Sequence, residues 1–121
     1  MKIKDTIGID ISKLTFDVRI HSNQDYRVFD NSIKDFKELT KWAFKSSACS
    51  KDEIIFVFEH TGLYSYELAV YLAEQNIPFA LVPGLEIKRS LGIARGKDDK
   101  VDATKIALYA YRLKDEIKPT E

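Results

Sequence analysis

The chain has 121 residues, of which 45% are hydrophobic and 31% charged, as expected for one globular domain with a real core. Its 19 basic and 19 acidic residues cancel, so net charge indicates no particular partner, although a local patch can still bind nucleic acid. A single cysteine, Cys49, excludes a disulfide framework and a Cys-rich zinc site. No apolar run reaches the roughly twenty residues of a membrane span, and the N-terminus lacks a signal peptide's features. We therefore expect a soluble, cytoplasmic protein that does not enter a membrane.

Three predicted strands open the chain. Large apolar residues alternate with Gly8, Asp10 and Ser12 over residues 7–12, which predicts a strand with one apolar face and one small-residue face. The same period continues over residues 14–21, and residues 26–30 follow a polar turn. Short links between consecutive strands predict an antiparallel meander. Asp10 is unfavourable inside a strand, and two explanations stay open: a metal ligand or an acceptor for backbone hydrogen bonds in the next turn.

A β-α-β unit follows a predicted helix. Helical spacing over residues 32–45, after a cap at Asn31 or Ser32, predicts an amphipathic helix. The apolar run 54–58 is typical of a parallel strand buried on both faces. A second helix over residues 63–75 and a short strand over 79–82 complete the unit, whose crossover should be right-handed. The residues expected on the buried helix faces are Ile33, Phe36, Leu39 (or Thr40) and Ala43 in the first helix and Tyr66, Ala69, Val70 and Ala73 in the second.

The last third of the chain changes in character. A short basic helix from Leu85 runs into a glycine-punctuated loop, and Asp98 or Asp99 is expected to cap a final helix that reaches about Leu113. The element order β-β-β-α-β-α-β-α-α is the ribonuclease-H-like arrangement. It predicts an α/β fold with a mixed five-stranded sheet in the order 3-2-1-4-5 and helices on both sides.

In that sheet, acidic residues meet at one edge. Asp10 and Glu59 lie at the carboxyl ends of neighbouring parallel strands, where open sheets place their sites. Asp99 and Asp102 are three residues apart in the expected first helical turn and would share a face. Four carboxylates require a counter-charge, and an all-oxygen set suits Mg²⁺ or Mn²⁺ better than zinc. Two such ions can support phosphodiester chemistry.

For the other residues near this edge, both a functional and a purely structural role are possible. Basic residues ahead of the final helix can bind a phosphate backbone, although such residues are also common on solvated helix faces. An acid at a helix start is often only a cap. The expected nucleic-acid contacts are Lys88, Arg89, Arg95 and Lys97, and the candidates for supporting the site are Ser12, His60, Thr61 and Tyr64. His60 can also be structural, and Tyr64 can simply pack.

Three motifs, Gly8-Ile9-Asp10-Ile11-Ser12-Lys13, residues 59–64 and residues 96–103, resemble the N-terminal domain of the DEDD transposases. These form the insertion sequence 110 family, which includes the Piv and MooV recombinases. The resemblance implies a RuvC-like fold whose acidic tetrad (Asp10, Glu59, Asp99 and Asp102) binds divalent metal. Asp99 is preferred to Asp98 because the family keeps its last two acids three residues apart.

The same resemblance implies strand cleavage and rejoining of mobile DNA, together with a structured guide RNA and homo-oligomeric assembly. Members of the family continue into a C-terminal domain with a serine nucleophile. This chain stops at Glu121, so we expect it to be the N-terminal part of a transposase that binds metal and nucleic acid weakly and does not transpose alone.

Three alternatives remain open at this point. A stand-alone structure-specific nuclease, such as a Holliday-junction resolvase, would use the same fold and tetrad. A sugar-kinase-like ATPase fragment also has an Asp in its first strand, but it requires a glycine-rich turn that residues 11–14 lack. The third alternative is a non-catalytic binding domain with the same fold.

Overall fold

The computed structural model describes residues 2–60, 62–92 and 101–120. These ranges contain five strands and four helices, in the order β-β-β-α-β-α-β-α-α. The strands are β1 (Asp5–Ile11), β2 (Thr15–Ile20), β3 (Tyr26–Asp30), β4 (Ile54–Glu59) and β5 (Phe79–Val82), and the helices are α1 (Ile33–Ser47), α2 (Leu63–Glu74), α3 (Gly84–Leu91) and α4 (Ala103–Arg112). No helix within the described ranges is long and apolar enough to cross a lipid bilayer.

The strands form one mixed sheet in the order β3-β2-β1-β4-β5. The first three strands pair antiparallel, and β1, β4 and β5 are parallel neighbours. This confirms the predicted order and the ribonuclease-H-like class. The lengths of the connections explain this strand order. Short turns can join only antiparallel neighbours, whereas the connections through α1 and α2 are long enough to bring parallel strands together.

Strand β1 separates two hydrophobic cores. Its isoleucines pack into the larger core together with α1 and α2. The opposite side of β1 carries Gly8, and a Cβ there would lie under 3.0 Å from the Ala103 and Ala107 backbone of α4. Beside it, the Thr6 hydroxyl donates a hydrogen bond of 2.9 Å to the Ala107 carbonyl oxygen. The small residues on this face of β1 therefore allow the backbone of α4 to lie directly on the strand.

The buried face of α2 differs from the predicted one. The structure buries Ser65, Leu68 and Leu72, whereas Tyr66 is 68% exposed and Ala73 is also exposed. This helix has apolar residues on nearly every side, so spacing alone does not determine which side meets the sheet. In α1 the predicted Phe36, Leu39 and Ala43 are buried, but Ile33 in the first turn is 63% exposed.

The final helix begins later than predicted. Its N-cap is Asp102, whose carboxylate accepts a 2.9 Å hydrogen bond from the Lys105 backbone N–H. The predicted cap at Asp98 or Asp99 is therefore wrong, and Asp102 precedes the first turn rather than lying within it. Three acids in a segment of five residues are each suitable caps, and the backbone of α4 over Gly8 selects the last of them.

Candidate active site

Two carboxylates lie side by side where β1 and β4 end. The parallel register pairs Ile9 with Phe58, so Asp10 and Glu59 occupy the next position on each strand. Because side chains alternate along a strand, both leave the sheet on the face that carries Gly8 and α4. Both are half-buried, and neighbouring strands are about 4.8 Å apart. The register thus brings two of the four predicted acids to one edge of the sheet.

Helix α3 begins against the Glu59 side chain. A Cβ on Gly84, its first residue, would lie under 3.0 Å from the Glu59 carboxylate. Only glycine leaves room for this close approach. The positive end of the helix dipole lies at the carboxylate, which is an electrostatically favourable arrangement. Gly84 thereby lets the Glu59 carboxylate lie against the start of α3, a role that the sequence analysis did not assign to it.

A partly buried hydrogen bond joins α3 to α4. The Tyr109 hydroxyl donates a 2.8 Å hydrogen bond to Glu86 Oε1, and Tyr109 is only 2% exposed. Burial, together with this acidic acceptor, raises the pKa of the Tyr109 hydroxyl well above its usual value of 10.0. The hydroxyl therefore stays protonated and keeps donating at any ordinary pH. Helix α4 is held both by β1 below it and by α3 beside it.

Asp102 stands at the start of this well-held helix. It is half-buried, and α4 lies over Gly8, two residues before Asp10 on the same strand face. The N-terminus of α4 is thus directed towards the edge where Asp10 and Glu59 lie. One oxygen of the Asp102 carboxylate already serves as the helix cap, so any metal-binding role would be added to a structural one.

Asp17 is an acidic residue of this face that the sequence analysis missed. It is the direct cross-strand partner of Asp10 in the antiparallel β1–β2 ladder, and side chains so paired lie about 4.5–5.5 Å apart at Cβ. The Tyr26 hydroxyl donates a 2.9 Å hydrogen bond to Asp17 Oδ2, and this bond raises the pKa of Tyr26. The alternation in β2 places Asp17 on the polar face, but only the register places it opposite Asp10.

Asn31 ties together the loops around the site. Its side-chain N–H₂ group donates 3.1 Å hydrogen bonds to the carbonyl oxygens of Ser12 and Tyr64. These two acceptors follow β1 and begin α2, respectively. Of the two predicted caps, Ser32 is the N-cap residue of α1, and Asn31 instead links the loops at the site edge.

The proposed supporting residues have varied surroundings. The Ser12 hydroxyl donates to the Thr15 carbonyl oxygen at 2.8 Å and closes the β1–β2 turn. His60 is exposed, and its backbone N–H bonds to the Val82 carbonyl oxygen at 3.1 Å. The Tyr64 side chain is 46% exposed on the first turn of α2. Thr61 lies outside the described residues.

The remaining predicted residues divide between α3 and the segment after it. Lys88 is half-buried and Arg89 exposed in the last turn of α3. Asp99, Arg95 and Lys97 lie outside the described residues, as does Asp98. Among the residues that are described, no group of three or more His, Cys, Asp or Glu side chains is arranged to hold one metal ion.

Comparison with known proteins identifies the chain's relatives. A family model described as transposase, of the DEDD type of insertion sequence 110, matches residues 7–121. No curated protein matches the sequence. Among solved structures, T. thermophilus RuvC in complex with Holliday junction substrate is similar, with a TM-score of 0.60 and 12% identity over 96% of this chain and 99% of that chain. The fold is thus RuvC-like, and since the family match spans nearly the whole sequence, this chain belongs to the DEDD transposases of the insertion sequence 110 family.

Proposed function

We propose that this chain is the metal-binding catalytic domain of a longer transposase that cleaves and rejoins DNA strands. Asp10, Glu59, Asp99 and Asp102 would together hold Mg²⁺ or Mn²⁺ as two ions. The observation that carries the proposal is the register, which sets Asp10 beside Glu59 on the face where α4 begins at Asp102. Family membership supports the same reaction class.

The donor chemistry fits a hard divalent cation. The side chains directed to this edge offer carboxylate oxygens, which Mg²⁺ and Mn²⁺ prefer to sulfur or imidazole. A bound pair of such ions supplies activation of the attacking oxygen and charge neutralisation at the leaving oxygen. In the chain itself, Asp10 sits between Asp17 on one side and Glu59 on the other, and the Glu59 carboxylate lies against Gly84.

Asp17 adds negative charge next to Asp10 without being one of the four proposed ligands. Like charges directly opposite each other in a sheet are unfavourable, and a cation at Asp10 would relieve that repulsion. The hydrogen bond from Tyr26 fixes the Asp17 carboxylate in this position. We therefore assign Asp17 a positioning role that increases the affinity of the edge for cations.

DNA is the proposed substrate. The similar RuvC structure is a complex with Holliday junction substrate, and Lys88 and Arg89 on α3 offer positive charge beyond Gly84. With Arg95 and Lys97 they would contact phosphates near the carboxylates. The guide RNA and the homo-oligomer belong to the same proposal for the full-length transposase and rest on the family resemblance. The chain alone would bind DNA and metal without transposing.

Metal binding is the direct test. Mn²⁺ and Mg²⁺ should raise the thermal midpoint of the wild-type chain, because a ligand at about 100 times its Kd stabilises the native state by about 2.7 kcal/mol. Asp10→Asn and Asp102→Asn should abolish this shift. Asp52→Asn, which removes one exposed carboxylate from the turn before β4, is the matched control and should keep it. Undiminished shifts in both site variants would refute the metal assignment.

A stand-alone structure-specific nuclease is the second candidate. It is favoured by one observation, the match to 99% of the RuvC chain. Incubating the wild-type chain with Mn²⁺ and either a four-way DNA junction or a linear duplex of the same sequence distinguishes the two candidates. Symmetric cleavage confined to the junction would support the nuclease, whereas the transposase domain should show no such preference.

A further inference from the structure

Helix α1 carries a line of lysines on its outer surface. Lys34, Lys37, Lys41 and Lys45 follow one another at intervals of three, four and four residues, the spacing of neighbours on one helix face. With a rise of 1.5 Å per residue, they stand about 4.5–6 Å apart along the axis and extend over about 16 Å. We call these four residues the lysine stripe.

The stripe faces solvent, opposite the core. The buried residues of α1 are Phe36, Leu39, Thr40 and Ala43, which lie on the other side of the helix at 100° per residue. All four lysines are exposed, and their ammonium groups make no hydrogen bond or ion pair with another residue in the described part of the chain. The stripe is therefore a row of positive charges available to a partner.

The acidic residues of α1 do little to neutralise this row. Asp35 Oδ2 accepts a 2.7 Å hydrogen bond from the Asp30 backbone N–H and is turned towards the end of β3. Glu38 is the other acid of the helix and lies beside the stripe. A helix that only needs solubility usually interleaves charges of both signs along its surface. Four lysines against one available acid is a one-sided distribution.

The stripe starts at the edge of the sheet that holds the candidate active site. Asn31, just before α1, bonds to the segments that follow β1 and begin α2. At the other end of the helix, Ser46 contacts Asn23 and Asp25 in the β2–β3 turn. The lysines thus lead from the site edge, over the back of the sheet, to the opposite edge.

We propose that the lysine stripe binds the phosphate backbone of duplex DNA where it leaves the active-site edge. This rests on the proposed function for the class of partner, and the stripe itself supplies the charge complementarity. Lysine is a flexible point charge that contacts phosphate without reading sequence. The surface therefore adds affinity and fixes the path of the DNA, and it contributes no base specificity.

The salt dependence of binding tests this proposal. A 30-base-pair duplex is titrated with the chain in EDTA at several salt concentrations, so that the metal site plays no part. Lys37→Gln/Lys41→Gln should lower the slope of log K against log salt by about 1.8, and substitution of all four stripe lysines by about 3.6, since each phosphate contact contributes about 0.9. The matched control is Lys2→Gln/Lys118→Gln, which removes the same charge from exposed positions elsewhere and should leave the slope near that of the wild type.

The outcomes are separable from those of the metal test. If both double variants lower the slope equally, the effect is one of net charge and the stripe proposal fails. If the stripe variants weaken binding to an RNA hairpin and leave duplex DNA binding intact, the assignment to DNA is overturned. Neither result bears on Asp10→Asn, and Mn²⁺ stabilisation that survives Asp10→Asn would overturn the metal site without affecting the stripe.

Discussion

The two ends of β1 each carry an aspartate, and the two have opposite surroundings. Asp5 is 1% exposed, and its carboxylate accepts hydrogen bonds from the backbone N–H groups of Thr6 (2.8 Å) and Ser22 (3.0 Å) and from the Ser22 hydroxyl. Asp10 is half-buried and has Asp17 opposite and Glu59 at the adjacent position of β4. Backbone and hydroxyl donors surround the first carboxylate, whereas two further carboxylates lie beside the second.

The residues beside Asp5 reinforce this difference. The ammonium group of Lys4 lies 2.6 Å from Glu53 Oε2, and its backbone N–H donates to the Glu53 carbonyl oxygen at 2.6 Å. Acid and base are paired at this end of the strand. The amino-terminal end of β1 therefore contributes to stability, and its carboxyl-terminal end is the proposed site of chemistry. Substitutions at the two ends should separate these properties.

The largest effect is expected from Asp10→Asn on metal-dependent DNA cleavage by the full-length transposase. Removal of the central carboxylate should lower the rate by about 10³-fold or more, equivalent to about 4 kcal/mol in the barrier. The free energy of unfolding should change by less than about 1 kcal/mol, because asparagine keeps the size and shape of the side chain at a half-buried position. Single-turnover cleavage and urea denaturation measure the two quantities. Marked destabilisation would instead make Asp10 structural, like Asp5.

Asp5→Ala should lower stability and leave metal binding unchanged, the reverse of Asp10→Asn. It leaves the buried N–H of Thr6 and the two donors of Ser22 without their acceptor, and we expect the free energy of unfolding to fall by about 2 kcal/mol. Mn²⁺ affinity of the folded fraction should stay at the wild-type value. Asp52→Ala, at an exposed position, should change stability by less than about 0.5 kcal/mol. Equal denaturation midpoints for the two variants would contradict the role given to Asp5.

Gly8→Ala tests the point between the two ends. A methyl group there would collide with the backbone of α4 at Ala103 and Ala107, so the helix must shift away from β1. We expect about 2 kcal/mol of destabilisation from overpacking and weaker Mn²⁺ binding, because Asp102 moves with α4. Gly92→Ala is a control with open space around it but a φ of 68°. It should cost stability through its backbone and leave metal binding intact.

The smallest effect concerns pH at the amino-terminal end. The hydrogen bond from Lys4, with further bonds from Ser50, lowers the pKa of Glu53 from 4.5 to about 2. A carboxyl group whose pKa is lower in the folded than in the unfolded state stabilises the fold at pH values above its unfolded pKa. That stabilisation is lost as the pH falls from 4.5 towards 2. Lys4→Gln should therefore reduce the acid dependence of the thermal midpoint in that window, whereas Lys2→Gln should leave it as in the wild type. Identical acid profiles for both variants would contradict this assignment.

Much of the fold follows from local patterns. The period of two in residues 7–11 and the unbroken apolar run at 54–58 identify the strands, and the lengths of the connections set the sheet order. Because both acids lie at the carboxyl ends of their strands, that order predicts Asp10 and Glu59 at one edge of the sheet, and the register makes them neighbours. These features depend on backbone geometry that each short segment carries by itself.

The wrong predictions occur where local patterns are degenerate. Helix α2 is apolar on most sides, so its spacing predicted Tyr66 and Ala73 inward wrongly, although the predicted Ala69 does pack against the core. The fully buried residues of the helix include Leu68 and Leu72 instead. Three acids near the start of α4 are equivalent as caps in the sequence, and the contact with Gly8 places Asp102 at that position. The buried face of α2 and the N-cap of α4 are therefore determined by tertiary contacts with other elements.

By itself, the sequence determined the strands of the sheet, their order and the meeting of Asp10 with Glu59, because alternation and connection length are local properties. Only the tertiary structure decided that Asp17 lies opposite Asp10, that Asp5 is buried among donors, and that α4 begins at Asp102. Those facts depend on strand register and on close backbone approach at Gly8 and Gly84. Both arise from contacts between distant segments, and no short stretch of sequence contains them.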